Sequence, residues 1–195
     1  MLAWIAGGAL LALFVAACGW WYATSNVETP PYETVRADEG AGIEVRDYPA
    51  LLAAEVTREG GRDAAVRAGF GPLAGYIFAK ERSGEKIAMT APVTQARDDG
   101  AWTIRFIMPQ GYDRETLPVP AGEDVEIVEM PARRVAAIRF SGVQTDALLA
   151  EREAVLREWL AANDLPSDGA ATFAYYNDPF TPGFLRRNEV LVALD

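Results

Sequence analysis

"IEVRDYPALLAAEV", residues 43–56, returns further along the chain as "VEIVEMPARRVAAI", residues 125–138. At that constant offset Glu44 lies over Glu126, Pro49 over Pro131, Ala50 over Ala132, Ala54 over Ala136 and Gly60 over Gly142. The stretches that follow superpose as well, with Ala65 over Ala147 and Leu73 over Val155. The period is longer than a solenoid repeat and occurs only twice, so it predicts one pseudo-symmetric domain rather than an array. Each half reads strand–turn–strand–helix–strands.

The elements around the repeats support that reading. In "TDALLAEREAVLREWLAAND", Leu148, Leu149, Val155, Leu156, Trp159 and Leu160 recur at helical spacing. Thr145 is placed to cap the start, and Glu153 and Arg157 form a favourable i,i+4 pair. The matching first helix, "RDAAVRAGFGPLAGYIFAK", keeps helical spacing at Val66, Phe70, Leu73 and Ile77 but contains Gly69, Gly71, Pro72 and Gly75. Such a composition is poor for a helix, which either starts afresh at Pro72 or is kinked there. Its small residues leave a flat surface for something planar. "WTIRFIM" alternates, with Trp102, Ile104, Phe106 and Met108 on one face. "RVAAIRF" (134–140), "ATFAYY" (171–176) and "NEVLVAL" (188–194) read as further strands. About eight strands and two helices give an α+β domain, a distorted antiparallel sheet or open barrel with both helices packed on it.

"KIAMTAPVTQ", residues 86–95, has strand-like ends around Met89, Thr90 and Pro92. Proline lacks a backbone donor, so Pro92 belongs on an edge strand or at a strand end. Directly after the first helix, this stretch is expected to lie beside it. Thr90 would satisfy local backbone groups, and Met89 would fill a packing gap or, as the sharper alternative, face a ligand.

Composition removes several functions. The chain has 195 residues, a net charge of −10, one cysteine and no histidine. An internal disulfide, the usual zinc sites, serine and cysteine triads and histidine-ligated haem are all excluded. Lys and Arg form no stripe interleaved with aromatics, so no nucleic-acid partner is expected. No paired carboxylates or nucleophile–base pair stand at a defensible spacing, so no catalytic or metal-binding residues are assigned and an enzyme is not expected.

Residues 1–24 read as a hydrophobic anchor or a lipoprotein-type signal. The apolar run from Leu2 to Tyr22 is long enough to span a bilayer, and Trp20, Trp21 and Tyr22 suit its interface. "VAAC", residues 15–18, resembles a lipoprotein cleavage box, although Lys and Arg are missing ahead of it. Residues 25–31 form a polar linker, and the folded domain is expected over 32–195. The expected location is membrane-anchored, with the domain on the extracytoplasmic (periplasmic) side.

"KIAMTAPV", "YNDPFTPGFLRRNEVLVAL" and "GIEVRDYPALLAAEV" together resemble the SOUL/haem-binding protein family over essentially the whole domain. The resemblance implies a distorted β-barrel with two helices in two pseudo-symmetric βαββ-type halves, an architecture shared with effector-binding domains of multidrug-responsive regulators. It also implies weak non-covalent binding of haem or metal-free porphyrin in a shallow groove over the first helix. Aligned from "MTAPV", a ring- or propionate-contacting arginine falls on Arg67, apolar contacts on Phe70 and Ala74, and a lysine position on Gly75. An overhanging loop corresponds to Phe180 and Thr181, and Asp47 stands where some members place a haem-ligating histidine. Lys80, Arg82 and Lys86, with help from Arg186 and Arg187, are further candidates for neutralising propionates, and Tyr76, Met89 and Lys80 are conceivable iron ligands. The expected partner is therefore a tetrapyrrole. The alternative is a general effector-binding module for another planar ligand.

Overall fold

The two matching stretches lie side by side. In the computed structural model, which describes residues 27–80, 82–167 and 169–194, they run antiparallel in a single register. Ile43 pairs with Ile138 and Tyr48 with Arg133; three residues on, Leu51 pairs with Met130 and Glu55 with Glu126. The ladder opens only where Pro49-Ala50 faces Pro131-Ala132, because a proline has no N–H to give it. On one side of the opening β2 (Ile43–Tyr48) pairs with β7 (Arg133–Phe140). On the other, β3 (Leu51–Glu59) pairs with β6 (Glu126–Met130).

The remaining elements are β1 (Glu33–Asp38), α1 (Arg62–Ile77), β4 (Val93–Asp98), β5 (Ala101–Ile107), α2 (Asp146–Ala162), β8 (Thr172–Tyr175) and β9 (Asn188–Ala193). The sheet order is β1-β2-β7-β9-β8-β4-β5-β3-β6. Exchanging the halves β2-β3-α1-β4-β5 and β6-β7-α2-β8-β9 reverses this order and leaves it unchanged, apart from β1. The fold is thus the expected α+β, two-repeat architecture, with each repeat's first strand lodged in the other repeat.

Both helices cover one face. α1 packs on β3 and β5, over Val56, Ile104 and Phe106; α2 packs on β7 and β9, over Ile138, Val190 and Val192. α2 starts as expected, with Thr145 Oγ1 accepting from the Leu148 amide at 3.2 Å. Glu153 and Arg157 pair at 2.8 Å, and Leu149, Leu156 and Leu160 are buried while Val155 stays exposed. α1 is one helix with Pro72 inside it rather than a helix restarting there. Buried Ala65, Leu73, Tyr76 and Ile77 hold it to the sheet, so packing overrides a poor intrinsic propensity. Gly69 has a local reason: a Cβ there would stand 2.9 Å from Ile104 Cδ1.

In "KIAMTAPVTQ" the strand begins only at Val93, and Pro92 precedes it. β4 pairs on both sides, with β5 and β8, so Pro92 marks a strand end and not a sheet edge. The Ile87 amide donates to the Ile77 carbonyl at 2.9 Å, which draws the stretch against the end of α1. Thr90 forms an isolated bridge with Glu28, and its hydroxyl donates to the Ile107 carbonyl. Met89 packs half-buried on the core beneath α1.

The opposite face of the sheet is polar at its centre. Arg46 and Glu189, with side chains 2% and 0% exposed, meet in a two-pronged pair at 2.7 and 3.0 Å. Arg187 donates to the same carboxylate at 2.8 Å, as does the Tyr176 hydroxyl at 2.8 Å. Arg46 also reaches Glu44 at 2.7 Å and lies 4.4 Å over the Tyr32 ring. Burial works to raise the Glu189 pKa, but the hydrogen bonds and charges of Arg46 and Arg187 outweigh it and hold the carboxyl below its ordinary range.

Glu189→Gln leaves two arginines facing an uncharged group and is expected to cost about 3–5 kcal/mol in chemical denaturation. Because the Glu189 pKa is depressed, its contribution is complete above the ordinary glutamate pKa and is lost as pH falls through the folded-state value. Melting temperature followed from pH 7 towards pH 3 should therefore fall less steeply in Glu189→Gln than in the wild type. Equal slopes would show that Glu189 is not the linked group.

Candidate functional site

Helical geometry sorts the residues of α1. Ala65, Gly69, Leu73, Tyr76 and Ile77 face the sheet. The opposite stripe consists of Arg67, Phe70, Gly71, Ala74, Gly75 and, one turn on, Phe78. Phe70 is 44% exposed and holds its place by an edge-on contact with Phe106, ring centroids 5.3 Å apart. Phe78 is 40% exposed at the helix end. Between these rings the surface is backbone and one methyl, since a Cβ at Gly71 or Gly75 would meet nothing within 4 Å.

A groove of about 340 Å³ flanks this stripe and touches it at Gly71 and Gly75; Arg67, Phe70, Ala74 and Phe78 do not line it. One wall is Gly71, Pro72, Gly75, Tyr76 and Arg82; the other is the 120–125 loop. Two side chains fix its shape. The Tyr76 hydroxyl donates to the Pro118 carbonyl at 2.8 Å and ties the loop to the helix. Burial pushes the Tyr76 phenol above its usual pKa, so it remains a donor. Arg82 donates to the carbonyls of Tyr76, Ser83 and Glu85 at 2.9–3.0 Å and stacks 5.1 Å from the Tyr76 ring. Its guanidinium therefore builds the wall, which differs from its expected role as a propionate partner. Lys80 and Lys86 are exposed nearby in sequence.

Of the residues expected at the site, Arg67, Phe70, Ala74 and Gly75 share this single stripe. Arg67 is exposed and makes no hydrogen bond or ion pair with a described residue. Phe180 and Thr181 lie on the loop between β8 and β9. There Asp178 accepts from the Phe180 and Thr181 amides and from the Thr181 hydroxyl at 2.8–3.1 Å. Arg186 donates to the Thr181 and Pro179 carbonyls, both at 2.7 Å, and to Gln144 Oε1 at 3.1 Å. These bonds define the conformation of the loop, which presents Phe180 82% exposed. Its bonds lead to the 142–144 segment, which meets the first turn of α1 through Arg62, a donor to the Gln144 carbonyl at 2.8 Å. Asp47, at the position of the ligating histidine in some relatives, takes both its oxygens to Arg134 at 2.7 Å. That pairing holds its carboxyl below the usual pKa.

Phe78 and the 120–125 loop were not among the expected contacts. Phe78 was within reach of the sequence, being two turns beyond Phe70. The loop carried no periodic or motif signal. Among the described residues no group of three or more His, Cys, Asp or Glu could hold a metal ion. No described helix is long and apolar enough to cross a membrane, and the expected anchor, residues 1–24, lies outside the described residues.

An interlocked two-repeat sheet, backed by helices on one face, thus carries an open small-residue stripe on α1. The chain belongs to the SOUL family: the family model described as SOUL heme-binding protein matches residues 27–193. No curated protein matches the chain in sequence. Among solved structures it is similar to a hydrolase from Listeria innocua, 14% identical over 80% of this chain and 92% of that one, with a TM-score of 0.57. It is also similar to the C-terminal domain of EcmrR, 11% identical over 84% of this chain and 98% of that one, with a TM-score of 0.59. At such identities the likeness is one of fold.

Glycines in the middle of an exposed helix face are costly, so Gly75→Ala should stabilise the protein by about 1 kcal/mol, raising Tm by roughly 2–4 °C, and Gly71→Ala by less, because a Cβ before Pro72 crowds the proline ring in a helix. If the stripe is a contact surface for a flat ligand, the pair should also weaken ligand binding. Unchanged binding alongside the higher Tm would move the ligand off this stripe.

Proposed function

We propose that the chain binds haem or a related tetrapyrrole non-covalently on the exposed stripe of α1, without a histidine ligand, for transport, buffering or sensing. The observation that supports this most is the backbone-flat strip at Gly71, Ala74 and Gly75 between two exposed phenylalanines, in a member of a haem-binding family. Arg67 stands free at one end of the stripe to meet a propionate, and Phe180 and Thr181 supply an overhanging contact.

Physical magnitudes set the expected strength. Burying about 300 Å² of porphyrin contributes roughly 7 kcal/mol at ~25 cal/mol per Å². Association costs at least ~4 kcal/mol of that. A charged hydrogen bond from Arg67 returns about 1–3 kcal/mol. The balance, about 4–6 kcal/mol at most, is a dissociation constant of roughly tens of micromolar to millimolar or weaker, which suits a carrier or sensor more than a permanent prosthetic group. An alternative ligand, another planar molecule, is favoured by the absence of a cation at Gly75 and of bulk at Ala74. The binding role needs no catalytic group. In this reading residues 1–24 tether the domain to the membrane on its extracytoplasmic side.

Titration of the full-length chain with haemin and with metal-free protoporphyrin, read by absorbance and tryptophan quenching, separates the cases. Saturable binding of both with similar affinity is expected, weakened at least about tenfold in Arg67→Glu without loss of folding. Tight binding of haemin alone would reveal an axial ligand. Binding of neither would leave the other planar ligand as the function of the stripe.

A further inference from the structure

The face of the sheet turned away from the helices holds a second cluster of cations, and one of them has no counter-charge. Register places Arg105 on this face, because Ile104 and Phe106 on either side of it point into the core beneath α1. Thr94 is its partner on β4, directly across the ladder. Arg133 pairs with Tyr48, which belongs to the small core of this same face with Val135, Ala137, Ala174 and Leu191.

Three features of these side chains point the same way. Arg133 is half-buried, lies 5.9 Å from the centre of the Tyr48 ring and makes no hydrogen bond or ion pair with any described residue. Arg105 donates its Nε to Glu55 at 2.6 Å, and its terminal nitrogens have no described partner. The Thr94 hydroxyl is buried without a hydrogen bond in a residue only 8% exposed. Elsewhere on this face Arg46 and Arg187 both bond Glu189 and Glu44 bonds Arg46, while Glu126, across the ladder from Glu55, and Arg139, across from Glu189, are exposed to solvent. Burial and the charge of Arg105 lower the Arg133 pKa, as expected for a cation lacking an anion. In a chain of net charge −10, a half-buried guanidinium without a described counter-charge, beside a second one that holds its carboxylate through Nε alone, is the exception. A partly desolvated charge and an orphaned hydroxyl are costs that a matching ligand removes.

We infer that this face is an anion site, in which Arg133 and the free edge of Arg105 grip a small oxyanion, a carboxylate or a phosphate, and the Thr94 hydroxyl completes its hydrogen bonds. Two arginines suit planar or tetrahedral oxygens because each presents paired donors. The site lies across the sheet from the α1 stripe, so occupancy of one does not block the other.

The test uses the full-length chain in chloride buffer at constant ionic strength, titrated with benzoate, with inorganic phosphate and with perchlorate while melting temperature is followed. A saturable rise in Tm with benzoate, phosphate or both is expected, and whichever is effective names the class of oxyanion. Arg133→Gln should weaken that response about tenfold or more and, without added anion, should melt higher than the wild type, because it removes a charge that nothing balances. Arg67→Glu should leave the response unchanged, which keeps this site distinct from tetrapyrrole binding. Thr94→Val provides a second variant: it removes a hydroxyl with no partner, so it should fold at least as stably and bind the anion several-fold more weakly. A response that does not saturate, is equal for perchlorate or survives in Arg133→Gln overturns the site. So does an Arg133→Gln protein less stable than the wild type in the absence of anion.

Discussion

Everything in this molecule hangs on one antiparallel register. The segments 43–55 and 126–138 stay in step across the gap at Pro49 and Pro131. That crossing sends β2 into the sheet of the second repeat and β6 into that of the first. A hairpin in either place would have given two separate small sheets, each with a helix and exposed edges. Instead β4 and β8 meet at the centre, and the two helices end on the same side of one curled sheet. The α1 stripe is exposed because α1 lies flat on its own repeat, with the 120–125 loop rising beside it.

Much of this architecture was legible in the chain, and the part that was not has a definite character. The repeat, the capped α2 and the alternating β5 were readable because each is written within one segment. An internal offset shows that two stretches are equivalent; it does not show that they pair with one another. Arg46 and Glu189 sit in stretches that read as ordinary strands. Their burial arises only because β7 brings β2 and β9 together. α1 was the element where local propensity and structure disagreed most, since Gly69 is needed for close approach to Ile104 while Gly71 and Gly75 touch nothing. Composition could count those glycines but could not tell the packed one from the two open ones.

The candidate contacts show the same division. Arg67, Phe70, Ala74 and Gly75 fall on one face through helical spacing alone, so their grouping was implicit in the chain. Phe180 and Thr181 depend on a loop whose conformation is set by Asp178 and Arg186 through hydrogen bonds that no spacing rule encodes. Arg82 shows how a charge near a site can be misread. A loop arginine is free to meet a ligand only if the backbone does not use it first, and here three carbonyls do.

The exchange of first strands between repeats also has a consequence for how the chain is made. β2 leaves the ribosome well before β7, its partner on one side: Tyr48 waits for Arg133 and Ile43 for Ile138. At 5–20 residues per second, the intervening stretch takes roughly 5–20 s to synthesise. Throughout that interval the first repeat has a helix with its sheet incomplete, and β1 covers only one edge of β2. The nascent chain must therefore stay soluble with an open strand edge until the second repeat arrives.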